Sequence, residues 1–123
     1  MTAAHTAAEK RGRLSEMLCV LALRLTGWRI VARCMKAKRG TGLGEVDIVA
    51  RRGATLAFIE VKARTDVGTA VESVTPAQRA RIARSAEVYL QHHPDLADYN
   101  VRFDVMVLGG GFVPRRIVDA WRP

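Results

Sequence analysis

Apolar positions along the chain follow two rhythms. Between Leu14 and Leu25 they recur at 14, 18, 21 and 25 and again at 19, 20 and 23. That spacing predicts a largely buried helix with a wide apolar face, ended by Thr26-Gly27. From Trp28 onward the period shortens towards two. Strands are predicted over 28–34, 45–52 and 55–63, with Gly53-Ala54 as a tight turn between the last two. Residues 65–74 read as a loop. Thr75-Pro76 is a helix start, with Thr75 at the cap and Pro76 in the first helical position. The apolar stripe 82, 86, 89, 90 carries this helix to Gln91, where His92-His93-Pro94 stops it. A fourth strand is expected over 101–108, and Gly109-Gly110-Gly111 turns it into a fifth over 113–121.

This order predicts a single α/β domain, a central mixed β-sheet flanked by helices. Residues 1–10 are read as a flexible N-terminus and residues 11–123 as the domain. At 123 residues, with 49% apolar and 26% charged side chains, the chain has globular composition. A disordered chain, a collagenous one and a disulfide scaffold are excluded.

The charge balance narrows the partners. Twenty Lys and Arg against 12 Asp and Glu leave a net +8, which points to a polyanion, with nucleic acid first and an anionic membrane second. No basic amphipathic helix with an exposed apolar face is evident, so a membrane surface is set aside. The longest apolar stretch, 17–23, is too short to cross a bilayer. No secretory h-region follows the basic start, and Cys19 and Cys34 form no CxxC pair, so a reduced cytoplasmic location is expected. Aromatics are only 6% of the chain, too few for a base-stacking platform.

Candidate chemistry lies in two segments, Gly44-Glu45-Val46-Asp47-Ile48-Val49 and Phe58-Ile59-Glu60-Val61-Lys62. In a strand, Glu60 and Lys62 emerge on one face together with Leu56 and Phe58, while Ala57, Ile59 and Val61 fill the other. A covered strand carrying a carboxylate and an ammonium needs them to pair or to bind something. A two-residue turn at 53–54 pairs positions whose numbers sum to 107, which sets Asp47 opposite Glu60. Two facing acids repel, yet they suit a hard divalent cation such as Mg²⁺, with Mn²⁺ as a substitute. Lys62 beside such an ion can position a water or offset charge developing on a phosphate. Glu16 shares the row Glu16, Cys19, Val20, Leu23 of the first helix and is expected to face the two acids. A structural salt bridge explains Glu60 and Lys62 alone, but it leaves the facing Asp47 and the inward Glu16 without a reason.

The run G-E-V-D-I-V, then F-I-E-V-K-A-R, then a helix and R-F-D-V resembles the YraN family of small bacterial proteins, over most of the chain. That family is similar to the PD-(D/E)xK nuclease superfamily and, within it, to archaeal Holliday-junction resolvases. The resemblance implies a restriction-endonuclease-like fold and a Mg²⁺-dependent endonuclease that hydrolyses phosphodiester bonds in DNA, branched or structured DNA included. It implies Asp47 and Glu60 as metal ligands, Lys62 as the catalytic lysine and Glu16 as the first-helix acid. A homodimer is implied by resemblance alone. Two positions depart from the family pattern: Gln78-Arg79 stands where Lys then Gln is expected, and Cys34 where Asn is common. The first departure leaves the polar residues of that helix without an assigned role. The competing class is a nucleic-acid-binding module with a vestigial nuclease site and no efficient turnover.

Lys36, Lys38 and Arg39, in a glycine-rich loop before the Asp47 strand, are candidate phosphate contacts. Arg79, Arg81 and Arg84 on the second helix are candidates too, against an ordinary solvated basic face. Asp104 reads as a structural partner for a nearby arginine. His5, His92 and His93 read as surface residues, Cys19 as core, and Trp28 and Trp121 as packing aromatics.

Overall fold

The computed structural model describes residues 7–63, 67–109 and 113–123. Helix α1 (Ala7–Leu25) leads into strands β1 (Arg29–Met35), β2 (Val46–Arg52) and β3 (Thr55–Lys62). Helices α2 (Val67–Glu72) and α3 (Pro76–His92) and a short 3₁₀ turn at Pro94–Leu96 follow, then β4 (Asn100–Val107) and β5 (Arg115–Ile117). The five strands form one mixed sheet in the order β1-β2-β3-β4-β5. All neighbours are antiparallel except β3 and β4, which run parallel from Thr55↔Asn100 to Lys62↔Val107. A parallel pair needs a long crossover, and α2 and α3 supply it.

The α/β expectation holds, as does the tight turn. Arg52 pairs with Thr55 and Ile48 with Ile59, the sum-to-107 register. Thr75 caps α3, its hydroxyl accepting the Gln78 N–H at 3.2 Å.

Four expectations need correction. The loop over 65–74 contains α2. The fifth strand spans three residues rather than nine, ending where the backbone turns to positive φ at Asp119. Helix α1 begins by Ala7, inside the stretch expected to be flexible; residues 1–6, and His5 with them, lie outside the described residues. Finally, α1 is not largely buried. Cys19, Val20 and Leu23 are covered, but Leu14, Met17, Leu21 and Leu25 are exposed. Two apolar rows do not fit under one sheet, so a helix does carry an exposed apolar row, against the expectation from sequence.

The sheet has two covered faces. Leu56 and Phe58 pack with Val49, Val74, Ile82, Ala86 and Phe103 beneath α3. Ala57 and Ile59 pack with Ile48, Ala50 and the Cys19–Val20–Leu23 row of α1. The alternation read from β3 therefore assigns each residue to its face as expected. It also puts α1 on the face opposite Leu56 and Phe58, whereas the sequence leads one to expect α1 over the face of Glu60. Among the described residues no helix is long and apolar enough to cross a membrane.

Candidate active site

Strand β3 ends with Glu60 and Lys62 following Leu56 and Phe58, on the face that α3 covers. Beside them β2 begins. Backbone pairing between these strands runs as far as Ile48↔Ile59. One step further the Asp47 carboxylate replaces a ladder partner, accepting the Val61 N–H at 2.8 Å. That bond anchors Asp47 at the point where β2 and β3 part.

Asp47 and Glu60 meet. The Glu60 carboxyl is raised from 4.5 to about 9, first by burial, then by the close approach of the Asp47 carboxylate and its charge. Lys62 works against the rise and Glu45 adds to it. Two carboxyl groups held close together in a half-buried site favour one proton between them. A cation placed there would displace that proton.

Gln78 completes the local set, its Nε2 donating to Glu60 Oε2 at 3.3 Å. Sequence alone leaves the polar residues of this helix without a role. Gln78 sits three residues after the Thr75 cap, where a side chain often turns back to the cap; here it reaches across to β3. Ser85 is a second residue that the sequence does not single out. It is buried in α3, donates to the Gly44 carbonyl at 2.6 Å and accepts the Gly44 N–H at 2.9 Å. A Cβ on Gly44 would lie 2.9 Å from the Ile82 nitrogen, so only glycine allows the chain to dock on α3 just ahead of Asp47. A lone serine within the 82–86–89 apolar stripe is the available signal.

Glu16 does not join the pair. Its carboxylate is held by Arg33 at 3.2 Å and by the Cys34 thiol at 3.1 Å, both on β1. Cys34 takes a left-handed backbone (φ 53°). Burial first, and then the charges of Asp47 and Glu16, push the Cys19 thiol up to about 12. Both acids therefore act on the same core thiol. Among the described residues, no group of three or more His, Cys, Asp or Glu gathers as a metal site.

The basic candidates divide. Arg79 is spent on the protein, donating to the Val74 carbonyl at 2.8 Å and to that of Val71 at 3.4 Å, around the end of α2. Arg84 donates to the Gly42 carbonyl at 2.8 Å and ties down the glycine-rich loop. Lys36, Lys38, Arg39 and Arg81 are exposed. Asp104 is buried and bidentate with Arg102 at 2.9 Å, the structural role expected of it. Cys19 is core, Trp121 stacks on Phe103 at 4.2 Å, and His93 stacks on Tyr89 at 4.0 Å.

Residues 15–108 match the family described as Uncharacterised protein family UPF0102. The chain belongs to the UPF0102 family. It is 50% identical over 119 residues to a UPF0102 protein of Paramagnetospirillum magneticum, covering 97% of this chain and 92% of the relative. A UPF0102 protein of Parvibaculum lavamentivorans is 45% identical over 117 residues, covering 95% and 85%. One of Caulobacter vibrioides is 40% identical over 116 residues, covering 94% and 90%. The family match spans every residue of the Asp47, Glu60, Lys62 and Gln78 set.

Proposed function

We propose that this UPF0102 protein is a Mg²⁺-dependent nuclease of the PD-(D/E)xK kind, hydrolysing phosphodiester bonds in DNA. One observation carries the reading: the Asp47 and Glu60 carboxyls lie close enough to raise the Glu60 pKa at the parting of two central strands, Asp47 anchored there by the Val61 N–H, with Lys62 one pleat away. For stability alone this is a poor use of half-buried sheet, because the pair holds a proton that water would have taken at neutral pH.

The donor set fits the cation. Mg²⁺ takes oxygen ligands and keeps several waters, so two carboxylates suffice. Asp47 and Glu60 would hold it, and Mn²⁺ in its place. When bound, it supplies positive charge against a phosphate and a lowered pKa for water. Val61 N–H fixes one Asp47 oxygen, leaving the other for a ligand. Gln78 fixes one oxygen of Glu60 in the same way. Lys62 orients the attacking water or offsets charge developing on the phosphate. Lys36, Lys38, Arg39 and Arg81 supply backbone-phosphate contacts that carry little sequence information. The two free cysteines agree with a cytoplasmic setting. A two-fold dimer comes with this reading by resemblance to junction resolvases, and sedimentation velocity decides it.

Engagement of Glu16 by Arg33 and Cys34 favours a second reading, a nucleic-acid-binding module with a vestigial site. A cleavage assay on labelled linear, flapped and four-way DNAs with Mg²⁺, Mn²⁺ or EDTA separates the two. The nuclease reading expects cutting that EDTA abolishes and that Lys62→Ala removes without loss of binding. Tight binding with no cutting on any substrate turns the assignment over to the module.

A further inference from the structure

At the hairpin end of the sheet lies a concavity of about 360 Å³ lined by Gly27, Arg29, Arg51, Arg52, Gly53 and Tyr99. Asp47 stands five residues back along β2 from Arg52, roughly 16 Å at strand rise, so this is a different place from the acid pair. None of the lining residues is acidic. Arg29 and Arg51 are direct cross-strand partners on β1 and β2. Their side chains therefore leave the sheet on one face, where like charges directly opposite are destabilising.

The arginines are held in place without being neutralised. Arg51 Nη1 donates to the Tyr99 hydroxyl at 3.0 Å. Arg52 Nη1 donates to the Thr26 carbonyl at 3.0 Å, with its guanidinium 4.7 Å from the centre of the Trp28 ring. Among the described residues, none of the three arginines takes part in an ion pair. A guanidinium cannot relieve repulsion by losing its proton, so a charge that neutralises this group would come from outside. The planar forks of Arg29 and Arg51 on one face, with Arg52 also lining the concavity, match the several oxygens of a phosphate better than the two of a carboxylate.

We propose that the Arg29–Arg51–Arg52 concavity is a phosphate-binding site, separate from the acid pair. The phosphate belongs to a nucleic-acid backbone or to a free phosphate compound, and two probes distinguish these sources. Pyrophosphate is the free probe, read by the shift in melting temperature of the full chain. A short DNA duplex is the other, read by the slope of log K against log salt, both in EDTA. Arg29→Gln and Arg29→Gln with Arg51→Gln are the variants. Arg29 is exposed and, among the described residues, outside any ion pair. The single variant should therefore fold and melt no lower than the native chain in phosphate-free buffer.

The affinity for pyrophosphate should fall about tenfold for each arginine removed. For a backbone phosphate, the duplex slope should flatten by about 0.9 per arginine. Loss of the pyrophosphate response alone supports the site with a free phosphate as its ligand. A flattened slope, with or without that loss, supports it with nucleic acid as its ligand. If the double variant changes neither readout, the site does not exist. Neither readout uses cleavage or a metal ion, so failure here and failure of the nuclease reading are told apart.

Discussion

The two ends of this sheet each crowd like charges, and they resolve the crowding differently. At one end Asp47 and Glu60 approach closely, and burial together with the Asp47 charge raises the Glu60 pKa to about 9. At the other, Arg52, Arg102 and Arg116 lie 4.7, 5.4 and 5.1 Å from the centre of the Trp28 ring, with Arg29 and Arg51 paired nearby. A carboxyl can neutralise itself by taking a proton from water; a guanidinium in a protein cannot lose one. The acid end therefore has an internal solution, and under the proposed nuclease reading it becomes charged when a cation binds. The arginine end has to spread its charge over an aromatic face, pair part of it with the buried Asp104, and leave the rest for an anion. Burial and the neighbouring guanidiniums pull the Arg116 pKa down, against the raising effect of Asp104. Crowding is thus held at both ends, but only the acid end can switch it off by titration.

Asp104 gives the largest test of this contrast. It is the buried acid paired with the arginine cluster around Trp28, bound to Arg102 through both oxygens and accepting the Asp119 N–H at 2.9 Å. Asp104→Asn removes its charge and should cost about 3 kcal/mol, the lower range for breaking a buried pair. In a domain of this size that lowers the melting temperature by roughly 10 °C or more. A shift of only a degree or two would mean that the Trp28 ring alone carries the arginine cluster.

At the acid end, Gly44→Ala should be the most damaging single methyl. The new Cβ meets the backbone of Arg81 and Ile82, and the overpacking should cost about 1–3 kcal/mol in urea unfolding. Calorimetry should also find weaker Mg²⁺ binding, because the segment leading to Asp47 is displaced. An unchanged midpoint would show that the loop docks elsewhere in solution.

The titration contrast has a definite sign. Glu60 is raised from 4.5 to about 9. Below the lower value the folded and unfolded chains are both protonated there, so its contribution is fully present. Between the two values the unfolded chain releases the proton and the folded chain keeps it, so stability falls as pH rises. In EDTA the native melting temperature should drop from pH 5 towards pH 8 by more than that of Glu60→Gln, and Mg²⁺ should restore it at pH 8 in the native chain only. Parallel curves for the two proteins would remove the shared proton.

The smallest effect is expected at the glycine-rich loop. Lys36, Lys38 and Arg39 are exposed, so changing all three to Ala should move stability by no more than about 0.5 kcal/mol each. The salt dependence of duplex binding should flatten by about 0.9 for each backbone phosphate that these side chains neutralise. If the slope holds here and flattens only in the Arg29 and Arg51 variants, the arginine end is the main nucleic-acid surface.

Much of the acid end is legible in the linear chain because its determinants are local. A two-residue turn leaves little freedom of register, so counting from Gly53-Ala54 puts Ile48 against Ile59 and carries Asp47 to the level of Glu60. The period of two then assigns Leu56, Phe58, Glu60 and Lys62 to one face and Ala57, Ile59 and Val61 to the other. The Thr75-Pro76 helix start is equally local. What could not be read there depends on which element lands on which face. Nothing in the helical period of α1 says which of its two apolar rows will be covered. Nor does it say that Glu16 will meet Arg33 and Cys34 instead of the two acids. Gln78 meets Glu60, and Arg79 is spent on α2, only because the crossover lays α3 on that side of the sheet. The five arginines of the hairpin and of the cluster on Trp28 come from four strands, separated by up to 87 positions from Arg29 to Arg116. Periodicity and turn chemistry act over a few residues and are written in order along the chain; docking and charge crowding act through space, between segments whose distance in sequence carries no trace of it.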